Sequence, residues 1–108
     1  MSEQFNGWTN RETWMIQLWI MNDESVSGWY EEVTQELISS GLRDSRLILQ
    51  LADIIEEDHK SRRSFESSVF SDMITYSLNR VNWCEVSEIF VNEALKPNKR
   101  IKLVGFKD

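Results

Sequence analysis

The sequence predicts an all-α fold, a single compact domain of four to five helices in which the first helix is central. Only four Gly and one Pro occur in 108 residues, too few turn formers for a β-rich fold. Apolar residues recur at helical spacing, and a hydrophobic fraction of 41% is enough for a core. We predict an N-terminal loop over residues 1–8, a helical body over 9–95 and a basic tail over 96–108.

Helix one begins within the stretch NGWTNRETW, residues 6–14. Thr9 and Glu12 have the spacing of a capping box, and Asn10 is a competing cap one residue later. The segment that follows is apolar nearly all round, which indicates a helix that is central in the fold or partly covered by a partner chain. Its broad face, predicted to be buried, contains Trp14, Met15, Leu18, Trp19 and Met21.

Helices two and three follow a serine-rich break. Ser25 or Ser27 is predicted to cap helix two, and Gly41 to end it with a positive φ. Asp44 is predicted to cap helix three, which ends in residues 61–64. The predicted buried residues are Trp29, Tyr30, Val33 and Leu37 in helix two, and Leu47, Ile48, Leu51, Ile54 and Ile55 in helix three.

Helix four is predicted over about residues 66–80, and helix five begins after Asn82. Asn82 and Glu85 form a second capping box. Residues 100–106 are β-prone without a clear partner strand, so they form a tail or a short edge strand. The predicted core residues are Val69, Phe70, Met73 and Ile74 in helix four, and Trp83, Val86, Phe90 and Ala94 in helix five.

Catalytic signatures are missing from the sequence, which therefore predicts neither an enzyme nor a cofactor. Glu56 and His59 have the Glu-x-x-His spacing of di-iron bundles, but those sites need a second such motif. We therefore expect His59 to be a core-edge or surface histidine, with a metal ligand as the less favoured alternative. Cys84 is expected to pack, although its place in the first turn of helix five would lower its pKa.

Charge is unevenly distributed. Residues 1–95 hold seventeen acids and seven bases, whereas the tail holds five bases and one acid. Such an acidic body repels phosphates, which argues against direct nucleic-acid binding. A lone cysteine suits the cytoplasm, and we expect neither a signal peptide nor a membrane span, because there is no charged-then-apolar leader and no long apolar run.

Acidic clusters on helices two and three are either solvated faces or mimics of nucleic-acid phosphates. Trp8 in the opening loop either packs over the first turn of helix one or anchors a contact surface, and we expect the anchor because tryptophan is enriched at interface hot spots. The residues expected to bind a partner are Asn6, Trp8, Asn10, Arg11, Glu31, Glu32, Glu36, Glu56 and Glu57.

The stretch NGWTNRETWMIQLWIMNDE, residues 6–24, resembles the opening of a family of small, largely uncharacterised proteins carried by phages, plasmids and some bacterial genomes. Their typical opening reads NGWTN-x-ETW, and the resemblance continues in residues 51–59 and 81–94. Arg11 stands where relatives often have an aromatic residue. The resemblance implies a mobile-element accessory protein and gives no catalytic residues.

Together these observations predict a non-enzymatic protein-binding module. We expect an anti-defence inhibitor, either an anti-CRISPR or an antirestriction protein, that occupies a nucleic-acid-binding surface of a host protein or effector complex. The alternative is a structural or regulatory accessory protein that acts as a homodimer, and a metal-dependent enzyme is a third. Whether the chain is a monomer or a homodimer stays open at this point.

Overall fold

Five α-helices make up most of the computed structural model, which describes residues 5–62 and 69–96 apart from the side chains of residues 70 and 71. Within these residues there is no strand, only an isolated bridge between Phe5 and Trp8. The all-α prediction is confirmed. The helices are α1 (Arg11–Met21), α2 (Glu24–Ser39), α3 (Asp44–Ser61), α4 (Val69–Arg80) and α5 (Trp83–Ala94).

The core lies mainly between α3 and α5, which make the most extensive interhelical contact among the described residues, and α2 packs against both. Tyr30 of α2 contacts Phe90 of α5 edge to face, with ring centroids 5.7 Å apart. Of the stripe predicted for helix three, Leu47, Leu51 and Ile55 are buried, and Ile48 and Ile54 are half-buried. The almost fully buried hydrophobic side chains are Ile20, Tyr30, Leu47, Leu51, Ile55, Val86 and Phe90.

The helix starts differ from the predictions at three places. Asn10, the competing cap, rather than Thr9, caps α1. Asp23 caps α2, because the chain turns directly after α1, and Ser25 and Ser27 therefore lie inside the helix. Asp44 does not cap α3 but is its first residue, with a φ of 54°, and the N-cap residue Arg43 makes no side-chain capping bond.

Two predicted helix ends are confirmed. Gly41 follows α2 with a φ of 104°, and its amide donates to the Ile38 carbonyl while the Leu42 amide donates to Leu37. This pair of hydrogen bonds is a Schellman motif, which requires the left-handed conformation that glycine adopts without strain. Asn82 caps α5, since its side-chain oxygen accepts from the Glu85 amide.

The predicted buried face of helix one is wrong. Thr13 and Ile20 are the buried residues of α1, whereas Trp19 is 71% exposed. Periodicity could not select the buried side of a helix that is apolar nearly all round. Met15, Leu18 and Met21 are exposed as well.

Helix four shows the same error, because Leu78 is buried near its end instead of the apolar residues nearer its start. In α2, Trp29 is also exposed. The exposed residues of α4 that were predicted to be core are Val69, Met73 and Ile74. The predicted start of helix four at residue 66, the side chain of Phe70 and the tail from residue 97 lie outside the described part.

Candidate functional site

A polar clasp joins the beginnings of α1 and α5, and it explains much of the opening stretch. The side-chain oxygen of Asn10 accepts from the Thr13 amide at 2.9 Å and from the Thr13 hydroxyl at 2.7 Å. The Thr13 hydroxyl in turn accepts from the Asn82 backbone amide at 2.9 Å. The Asn10 side-chain nitrogen donates to the Arg80 carbonyl at 2.7 Å. Asn10 is therefore buried and occupied by internal hydrogen bonds.

Glu12 and Glu85, which the sequence assigned to capping boxes, strengthen this clasp instead. A Glu85 carboxylate oxygen accepts from the Thr9 amide at 2.9 Å, and Glu12 forms an ion pair with Arg80 at 3.2 Å. Both contacts join residues far apart in the chain. Several residues of the opening stretch therefore hold α1 against the turn between α4 and α5. They are Thr9, Asn10, Glu12 and Thr13.

His59 lies at the edge of the core beside two aromatic rings, as the preferred interpretation of the sequence expects. Its Nδ1 lies 2.9 Å from the Ile55 carbonyl oxygen, so Nδ1 carries a proton and donates. Its ring centroid is 5.5 Å from Trp83 and 6.2 Å from Tyr30. Trp83 is buried, and its Nε1 has no hydrogen-bond partner in the described part of the chain.

The Tyr30 hydroxyl donates to Asp58 at 2.5 Å and thereby joins α2 to the last turns of α3. Burial raises the pKa of Tyr30 well above its ordinary value, and the hydrogen bond to Asp58 and the charge of Asp58 raise it further.

Residues 5–62 and 69–96 contain no group of three or more His, Cys, Asp or Glu side chains that could hold a metal ion.

Cys84 is half-buried, and the expected direction of its pKa shift is wrong. Burial raises the pKa of the thiol, and the charges of Glu88, Asp53 and Glu56 raise it further. Burial and the surrounding carboxylates both disfavour the charged thiolate. This is the reverse of the lowered pKa that activates a cysteine nucleophile.

The acidic candidates differ in how far they are neutralised. Glu56 is half-buried and forms an ion pair with Lys60 at 2.6 Å. Glu31, Glu32 and Glu36 on α2 are exposed, and none of them forms an ion pair with another described residue. Glu57 is exposed on α3. Among the described residues, the acidic candidates of α2 are therefore unpaired, whereas Glu56 of α3 is paired.

Trp29 shares a surface with two of these glutamates. At about 100° per residue, Trp29, Glu32 and Glu36 lie within roughly 60° of arc, on the side of α2 away from buried Tyr30 and Thr34. The three positions extend over about 10 Å of helix axis. We call these three residues the α2 stripe. Glu31 lies outside it.

The remaining candidates lie around the start of α1. Asn6 is exposed in the loop with a φ of 49°, and Trp8 is half-buried. Arg11 is exposed, with its guanidinium 5.5 Å from the centre of the Phe5 ring. The structure thus separates the predicted site residues into a loop group and an acidic group on α2 and α3.

Sequence reasoning missed Trp19 and Trp29 as surface residues, because each was assigned to a buried face. The signal available for Trp29 was its place at the edge of the apolar stripe, directly beside the glutamates. For α1, the polar Thr13 among mostly apolar residues indicated which side makes internal hydrogen bonds.

Within the described residues, no helix is long and apolar enough to cross a membrane.

One family model, described as a family of unknown function (DUF7249), matches residues 1–96. No curated protein matches the chain, and no solved structure does. The match extends over all five helices, including the clasp and the α2 stripe. The chain therefore belongs to the DUF7249 family of unknown function.

Proposed function

We propose that this protein is a non-enzymatic protein-binding module that binds a basic surface of another protein through the α2 stripe. The observation that carries the proposal is the alignment of Trp29, which is 45% exposed, with the carboxylates of Glu32 and Glu36, which form no ion pair with a described residue. An exposed tryptophan gives a large rigid contact area, and tryptophan is enriched among hot-spot residues. The adjacent charges would favour a positively charged partner.

The spacing of these charges supports a more specific partner class. Side chains at i and i+4 of a helix, as in Glu32 and Glu36, lie about 6 Å apart. Nucleic acids also present a row of negative charge, with about one charge per 3.4 Å along a strand. We therefore propose that the partner is a nucleic-acid-binding protein of the host cytoplasm and that the module inhibits it, as an anti-CRISPR or antirestriction protein would. Glu31 and Glu57 would extend the charged surface.

We propose Trp29, and not Trp8, as the anchor. Trp8 was expected to be the contact residue, but it is half-buried and bridged to Phe5 through two backbone hydrogen bonds. Trp29 has the more exposed side chain and shares the α2 stripe with Glu32 and Glu36. We do not include Asn10 in the proposed binding surface, because its side chain is buried in the clasp.

Comparative affinity capture from host lysate tests the proposal. The baits are the wild-type chain, the charge-reversed variant Glu32→Lys/Glu36→Lys, and a control with the same net charge change, Asp53→Lys/Glu88→Lys, at exposed positions of α3 and α5. Quantitative mass spectrometry identifies what each bait retains. We expect a nucleic-acid-binding protein that the wild type and the control retain and that the Glu32→Lys/Glu36→Lys bait loses.

Two outcomes would contradict the proposal. One is a set of bound proteins that is the same for all three baits. The other is loss from both charge-reversed baits alike, which would show a response to net charge and not to the α2 stripe. Raising the salt concentration during washing should also release the specific partner, because exposed charge pairs are screened.

A further inference from the structure

An apolar groove of about 460 Å³ lies between α1 and α4. Met15 and Trp19 of α1 form one wall, and Met73 and Ile74 of α4 form the other. All four side chains are exposed, which is unusual for large apolar residues that lie side by side. Trp19 alone exposes on the order of 150 Å². This surface is distinct from the α2 stripe and does not depend on the function proposed for it.

The α1 wall of the groove has a regular pattern. Arg11, Met15 and Trp19 recur every four residues and therefore form one row along the helix. This row lines the groove. It also forms a ridge beside it, since the Trp19 side chain is largely exposed. The same face thus contains both a projecting apolar helix and a groove between two helices, which is the self-complementarity that a two-fold interface requires.

We propose that the occupant of this groove is a second copy of the chain, packed with its α1 antiparallel to the first. A two-fold axis midway between Met15 and Trp19 places Met15 of each copy opposite Trp19 of the other. Each Trp19 then inserts toward the other copy's α1–α4 groove. Every apolar contact is made twice, and the exposed surface of both tryptophans is removed from water.

Charge complementarity supports this arrangement. Arg11 is exposed and forms no ion pair with a described residue, and it lies two turns from Trp19 at the rim of the groove. The antiparallel packing brings Arg11 to the end of the second copy's α1, where Asp23 and Glu24 follow the helix. Asp23 already caps α2 with one carboxylate oxygen, whereas Glu24 is exposed without an ion pair to a described residue. Glu24 is therefore the counter-ion for Arg11.

The helix dipole acts in the same direction. The last turn of α1 contains no basic residue, so its terminal carbonyl groups lack a nearby cation from their own helix. Arg11 of the second copy supplies that cation. The two α1 helices are also antiparallel, an arrangement in which their dipoles attract. These contacts oppose the repulsion expected between two chains that each have a net charge of −6.

Sedimentation equilibrium of the full chain tests this inference. We expect a concentration-dependent rise to twice the 12.8 kDa of one chain. Trp19→Asp should abolish the rise, whereas Leu49→Asp, at an exposed leucine of α3, should retain it. Circular dichroism should show equal helix content in all three proteins. A wild type that stays monomeric into the millimolar range, or a Trp19→Asp variant that still dimerises, would overturn the inference.

A charge exchange tests the orientation of the two copies. Arg11→Glu and Glu24→Arg should each raise the dissociation constant of the dimer by about tenfold or more. The double variant Arg11→Glu/Glu24→Arg restores the opposite charges, and we expect it to recover most of the lost affinity. If the double variant is as weak as the single variants combined, the antiparallel arrangement is wrong.

Discussion

The backbone amide of Asn82 donates a hydrogen bond to the Thr13 hydroxyl across 2.9 Å, and this bond joins the beginning of α5 to the first turn of α1. The two residues are far apart in the chain. Thr13 is fully buried although it is polar, and its hydroxyl donates a hydrogen bond to the side-chain oxygen of Asn10. A polar residue is therefore the most buried position of a helix that is otherwise rich in apolar side chains.

Replacing Thr13 with valine tests the importance of this bond. Thr13→Val keeps the shape of the side chain but leaves the Asn82 amide without its acceptor, and we expect a loss of about 1–3 kcal/mol in the free energy of unfolding. Thr34→Val is the matched control. The Thr34 hydroxyl is equally buried but donates to the Tyr30 carbonyl within the same helix, so its loss should cost less. Urea denaturation measures both, and equal losses would contradict this role of Thr13.

Asn10 is expected to be worth more than an ordinary helix cap. Asn10→Ala removes both the α1 cap and the bond to the Arg80 carbonyl, so we expect a loss of about 2 kcal/mol. Asn10→Asp retains the capping oxygen alone and should fall between the wild type and Asn10→Ala. Asp23→Ala removes an exposed cap and should cost about 1 kcal/mol. If Asn10→Ala lowers the free energy of unfolding in urea by no more than Asp23→Ala does, the clasp does not contribute the stability expected of it.

The sequence predicted the fold class and most of α3 and α5, because their apolar residues occupy one face and leave the other charged. It did not predict which side of α1 is buried, since that choice depends on the bonds between Thr13 and Asn82, which are distant in the chain. The acidic surface was foreseen as a set of glutamates. The Glu56–Lys60 pair has an i,i+4 spacing that the sequence already contains, whereas the lack of an ion pair between Glu32 or Glu36 and any described residue depends on where the other helices lie.

Tyr30 should make the stability of the protein fall at alkaline pH. Its pKa is raised in the folded state by burial and by Asp58, so above about pH 10 the unfolded chain releases a proton that the folded chain retains. The contribution of Tyr30 to the free energy of unfolding is therefore fully present below about pH 10. Above that pH it decreases by up to about 1.4 kcal/mol per pH unit.

Denaturation at several pH values between 8 and 11 checks this behaviour. Tyr30→Phe should remove most of the alkaline loss, whereas Tyr76→Phe, at an exposed tyrosine, should leave it unchanged. An identical alkaline decrease in the wild type and Tyr30→Phe would show that another group is responsible.

Cys84 should react slowly with thiol reagents. The raised pKa of Cys84 lowers the fraction of reactive thiolate in the folded protein, and Glu88 contributes to that shift. Glu88→Gln should therefore speed the reaction of the folded protein with a disulfide reagent at pH 8, without changing the rate of the urea-unfolded chain. Glu57→Gln, at another exposed glutamate, is the control. Reaction of wild-type Cys84 as fast as that of the unfolded chain would contradict the prediction.

The choice between Trp29 and Trp8 as the contact residue tests the proposed function most directly. The measurement is the dissociation constant of the captured partner for Trp29→Ala and for Trp8→Ala, with circular dichroism to show that each variant is folded. We expect Trp29→Ala to weaken binding by about 2 kcal/mol or more, on the order of a thirtyfold change, while Trp8→Ala leaves it near the wild-type value. Unchanged binding by folded Trp29→Ala would contradict the proposed function.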